Sequence, residues 1–211
     1  MTTLLNSAYP LIFCLLAFVS NSLAVQPIDH RPIGELSAAI KKAGHTRIAQ
    51  GIRYVVTKDR KTGEVSKTDN VLMLTTNKKT GEWTVSVLHG DTRGSTLLIG
   101  SGLERPRAGE THHRKSYSRE ASNRVIKATK GEVFSAYYPD EIKRILKLGW
   151  KRSFAGSVRH VNHPLFKENE TAKYHCDILV EPKGGRFVVL ITDISGTCFK
   201  IALGKEFSAK N

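Results

Sequence analysis

Apolar and polar residues alternate with a period of two along much of this chain, the mark of strands with one buried face. The segments 48–57, 65–76 and 82–89 carry the pattern most clearly. Lys61-Thr62-Gly63-Glu64 and Lys79-Thr80-Gly81-Glu82 separate them, eighteen residues apart, each with a glycine where a hairpin of about three to five residues needs positive φ. The first three strands are therefore predicted to form a meander. Thr96 to Ile99 is read as a short apolar strand that Gly100-Ser101-Gly102 brings to an end. Further strands are predicted over 132–138, 150–161, 174–182, 187–193 and 197–203. Phe187 to Ile191 is apolar on consecutive residues, which implies burial on both faces and marks the centre of the core.

Two segments follow the helical period instead. Glu35 to Ala43 sets Leu36, Ile40 and Ala43 on one side, with Lys41 and Lys42 in its last turn and Gly44 as its stop. Pro139 opens the second, with Asp140 and Glu141 in its first turn, Ile142, Ile145, Leu146 and Leu148 as its apolar side, and Gly149 after it. The expected fold is α+β: eight to ten mainly antiparallel strands in a sandwich or partly open barrel, with two short helices packed outside.

Leu103 to Lys130 fits neither period. It holds eight Lys or Arg against three Glu and the adjacent pair His112 and His113. Connections longer than about 12–15 residues inside a domain are usually functional or disordered, so this basic loop is where function is sought.

Charge strengthens that choice. The chain has 211 residues, 33 of them Lys or Arg and 19 Asp or Glu, a net +14. Residues 1–24 carry no charge, contain the apolar run Leu11 to Val19, and place Ser22 and Ala24 ahead of a cut before Val25. They are read as a cleaved signal peptide, leaving 25–211 as one β-rich domain in a secreted or periplasmic protein. All the excess charge then belongs to that domain. Such an excess favours an anionic partner: nucleic acid, polysaccharide or acidic lipid. Export also favours a disulfide between Cys176 and Cys198. Against it, a flat meander puts the two on strands about 10 Å apart, and Cα atoms beyond about 7 Å are not bridged. The disulfide is kept as the expectation. Asn169-Glu170-Thr171 matches the N-glycosylation pattern, which matters only in a eukaryotic secretory pathway.

Reaction motifs are missing. There is no P-loop, no S-x-x-K to accompany the K-T-G turns, no HExxH and no CxxC. Metal ligation by His160-x-x-His163 is disfavoured because strand residues three apart point to opposite faces. For the same reason His175 cannot activate Cys176. No cofactor or metal is expected. The leading reading is non-covalent binding of a polyanion by Arg105, Arg107, Arg114, Lys115, Tyr117, Arg119, Arg124 and Lys127, extended by Lys151, Arg152 and Arg159. The alternative is a metal-independent ribonuclease or related hydrolase. It would use His112 or His113 with His160 or His163 as acid and base, and Lys115 or Lys151 to stabilise charge on phosphate. A third reading is a partner-binding adaptor. His30, His45 and His89 complete the histidines of the chain, and the sequence alone gives them no role.

Overall fold

The computed structural model describes residues 29–58, 61–90, 92–105, 136–137, 145–162, 166, 174–193 and 198–210. In chain order the elements are β1 (Arg31–Pro32), α1 (Ile33–Lys42), β2 (Thr46–Lys58), β3 (Val65–Thr76), β4 (Glu82–His89), β5 (Arg93–Glu104), β6 (Ala136–Tyr137), β7 (Lys151–Val161), β8 (Tyr174–Val180), β9 (Phe187–Thr192) and β10 (Cys198–Ala209). A helical turn at 145–147 precedes β7. No helix among the described residues is long and apolar enough to cross a membrane.

Strands β2 to β5 form one antiparallel meander and β7 to β10 another. Pairing of β5 with β7 and of β10 with β2 joins the two into a closed barrel of eight strands. Strand β1 adds to β5, and β6 to β10. The strand-rich fold expected from the alternation is thus present, and the ring is closed. The two hairpin repeats also behave alike: Gly63 and Gly81 have φ of 72° and 71°, and Thr62 and Thr80 each accept a backbone N–H two residues on.

The middle of the barrel is solid. Trp83, Phe154 and Phe187 fill it with Leu72, Leu74, Val85, Leu98, Ile178, Val189 and Ile191, as befits eight strands, whose interior is about wide enough for side chains. Two glycine pairs make room for the largest rings. A Cβ on Gly100 would overlap Trp83 and one on Gly156 would stand 2.8 Å from its Nε1, while Gly51 and Gly204 meet Phe187 in the same way. This explains where strand β5 departs from expectation. Gly100-Ser101-Gly102 does not end the strand; it carries β5 on to Glu104, past the Trp83 ring. Leu103 and Glu104 are accordingly strand, with Glu104 opposite Ala155. The remainder of the predicted 103–130 loop, apart from Arg105, lies outside the described residues, as do residues 1–24 and Asn169.

The helices pack outside. Leu36 and Ile40 of α1 are buried, with Leu36 seated over Gly94, and Ala43 contacts Ile99. Ile145, Leu146 and Trp150 cover a second outer cluster of Leu179, Val188, Leu190 and Cys198. Phe187 to Ile191 is buried on both faces, with Phe187, Val189 and Ile191 inward and Val188 and Leu190 beneath the helical turn.

The expected disulfide is not formed. Cys176 on β8 lies opposite Ile191 and Cys198 on β10 opposite Thr192, so β9 stands between them. Their side chains also diverge: Cys176 belongs to the interior cluster and Cys198 to the outer one. Both remain thiols. Burial, reinforced by Asp177 and Cys198, pushes the Cys176 thiol well above its usual range.

Candidate functional site

With the centre packed, a ligand has to be sought at the mouths of the barrel. The lower mouth is the end at which α1 hands over to β2, β3 turns into β4, and β5 finishes. A cavity of about 460 Å³ opens there, lined by Thr46, Arg47, Ile48, Thr76, Lys78, Leu103, Glu104, Arg105, Phe154 and Lys210. Four cationic side chains therefore surround it against one carboxylate, over a floor of Ile48, Leu103 and Phe154.

Arg105 is the best positioned of the four. Its Nη2 donates to the Lys210 carbonyl at 2.6 Å, and its guanidinium stands 5.3 Å from the centre of the Phe154 ring. Lys210 is itself anchored, because its N–H donates to Ile48 O at 2.8 Å and extends the β10–β2 pairing. A guanidinium carries five N–H donors in a fixed fork, so most of its donors stay available to an anion. Lys151, exposed at the first position of β7, lies at this same end.

Arg152 and Arg159, the other predicted cations among the described residues, are occupied. Arg152 Nε is 2.9 Å from Asp177 Oδ1, and both side chains are nearly buried. His175 reaches the same oxygen at 3.4 Å, on the outer face and turned away from Cys176, as its place in a strand requires. Arg159 is bound to Glu82. Glu82 in turn takes His45 Nε2 at 3.2 Å, while His45 Nδ1 meets Thr75 Oγ1 at 3.0 Å and Thr75 meets Thr84 Oγ1 at 2.8 Å. This buried chain fastens the end of α1 to β3, β4 and β7. Burial lowers the His45 pKa, with Glu82 acting in the opposite sense.

The proposed acid/base set fares differently. His160 lies near the upper end of β7, opposite Ile99, and Lys151 at its lower end. The nine strand steps from one to the other span about 30 Å, so these two do not share a site. His112, His113, His163, Arg107, Arg114, Lys115, Tyr117, Arg119, Arg124 and Lys127 lie outside the described residues. Among the described residues no three His, Cys, Asp or Glu side chains gather as metal ligands do.

The upper mouth holds a cluster that sequence reasoning left unassigned. Ser95 Oγ accepts the His30 N–H at 3.0 Å, donates to Asp29 Oδ1 at 3.3 Å, and stands 3.1 Å from His89 Nε2. A hydroxyl has a single proton, so with Asp29 as its acceptor the remaining bond has His89 Nε2–H as donor. The His30 and His89 rings stack at 4.8 Å. Burial lowers the His89 pKa, and the charges of His30 and Arg53 lower it further against Asp29. Nothing local in the sequence links His89 and Ser95 to residues 29 and 30. That link is made by β1 pairing with β5.

Compared with known protein families, characterised proteins and solved structures, the chain matches none.

Proposed function

We propose that this is an exported protein that binds an anionic polymer, without covalent change, through the cationic lower mouth of its barrel and the basic segment that follows it. The observation carrying this reading is the placement of Arg47, Lys78, Arg105 and Lys210 around one cavity at the point where the chain enters that segment. Four separate parts of the chain supply these cations: the 46–48 region, the 76–78 region, the end of β5, and the residue after β10. Arg105 is held ready by Lys210 O and Phe154, which lowers the ordering cost of pairing its fork with phosphate, sulfate or carboxylate.

The test is a binding curve with single-stranded RNA, and with heparin in a parallel arm, at rising salt. Affinity for RNA is expected to fall with a log–log slope of about −0.7 per neutralised phosphate. Replacing Arg47, Lys78 and Arg105 with Ser removes up to three contacts and flattens the slope by about 2. Each exposed substitution is expected to change stability by no more than about 0.5 kcal/mol. A salt-independent affinity, or a triple variant that binds as well as the parent, overturns the reading. So does cleavage of the RNA during the incubation.

A further inference from the structure

One cation of the described barrel, Arg53, is turned into its interior. It lies on β2 two residues beyond Gly51, whose missing Cβ accommodates Phe187 inside the barrel, so strand alternation turns Arg53 inward as well. Asn70, directly opposite it on β3, is 8% exposed and belongs to the inward series of Leu72 and Leu74. On its other side β10 presents Gly204. Arg53 is thus a half-buried guanidinium within the upper part of the barrel.

Its neighbours do not neutralise it. Among the described residues it forms no ion pair, and burial alone perturbs it, in the direction that disfavours its charge. The adjoining ionisable group, His89, feels Arg53 as a repulsive charge. Asp29, a carboxylate at this mouth, accepts a hydrogen bond from Ser95 and forms no ion pair with Arg53. A guanidinium withdrawn from water without a counter-charge is unfavourable, and buried charges in folded proteins are generally paired. Arg53 itself is partly exposed, and the side chains of His30 and Asp29 above the cluster are 62% and 67% exposed. Polar donors and the cation stand on the β2 to β5 side. Across from them Phe166 makes edge contacts with Tyr174 and Phe199.

We propose that the upper mouth of the barrel is a binding site for a small oxyanion, a carboxylate or a phosphate, whose charge is neutralised by Arg53, with Asn70 and His89 following it on β3 and β4. The fork of Arg53 matches two oxygens of either group, and Asn70 adds amide donors. This site lies at the opposite end of the barrel from the polymer-binding mouth and does not depend on it.

Thermal unfolding with inorganic phosphate and with benzoate, against chloride at matched ionic strength, tests the assignment. At about twenty times its dissociation constant, the bound anion is expected to raise the melting temperature by about 4 °C. Response to benzoate alone identifies a carboxylate site, and response to phosphate alone a phosphate site. Arg53→Met keeps a long unbranched side chain and removes the charge. It is expected to melt no lower than the parent in chloride and to ignore both anions. The Arg47→Ser/Arg105→Ser variant, altered at the other mouth, should keep the full response. Calorimetric titration of the parent provides a second measurement should Arg53→Met fail to fold. An Arg53→Met protein that responds like the parent, a response lost in Arg47→Ser/Arg105→Ser instead, or a parent that binds neither anion by calorimetry overturns the proposal.

Discussion

His45 and His89 are both harder to protonate in the folded protein than the ordinary value of 6.5, each chiefly because of burial. Below that value the unfolded chain takes up protons that the folded one resists, so stability is full above about pH 6.5 and falls as the pH drops further. The melting temperature should therefore decline between pH 7 and pH 5, and His45→Gln and His89→Gln should each flatten the decline. His45→Leu at pH 7.5 removes the link between Thr75 and Glu82 and is expected to cost about 1–3 kcal/mol in urea unfolding. The two thiols make a different prediction. Buried and on opposite faces of the sheet, they should resist a thiol reagent until the protein unfolds, and a reductant should leave the melting temperature unchanged.

Elements here succeed or fail by what lies across the barrel from them. Gly156→Ala sets a methyl group against Trp83 and is expected to cost about 1–3 kcal/mol by overpacking. Trp83 Nε1 has no hydrogen-bond partner among the described residues, so Trp83→Phe gives up no bond, and adding it to Gly156→Ala should recover part of the loss. The same contacts explain what was legible. Strands β2, β3 and β4, with their hairpins, are readable because period and turn chemistry are local. The length of β5 is not, because Gly100-Ser101-Gly102 resembles a break unless the Trp83 ring is known to pass beside Gly100. Strand β10 runs beyond the expected 203 to Ala209 for a similar reason: its later half pairs with β2, about 150 residues earlier in the chain. Arg105 is recognisable from charge alone. Its companions Arg47, Lys78 and Lys210 are scattered through the sequence, and only barrel closure collects them. Arg53 sits in an ordinary alternating strand and becomes notable once its inward neighbours are seen to hold no acid for it.

At the scale of the molecule, the net +14 is distributed unevenly in its effect. Arg152, Arg159 and Arg186 are tied to Asp177, Glu82 and Glu181, whereas the lower mouth keeps its cations against a single carboxylate. Salt should therefore weaken polymer binding far more than it weakens the fold, because the internal pairs of Arg152 and Glu82 are shielded from the solvent ions that screen the mouth. Chemical unfolding in 0.1 M and 0.5 M salt, run beside the binding curves, separates the two effects.

Barrel closure also fixes an order of events in time. Strand β2 is made early, yet the partner for its outer edge, residues 204–209, is the last stretch of β10 to be synthesised. Until that stretch arrives, β2 offers a bare row of N–H and C=O groups to any passing chain, and the ring closes only when two remote parts of the polypeptide meet, a slow step. A chain stopped at residue 196 would keep that edge open permanently. It should elute as oligomers in size-exclusion chromatography where the full-length protein does not, and an added peptide of residues 198–210 should compete for the vacant edge and restore the smaller species.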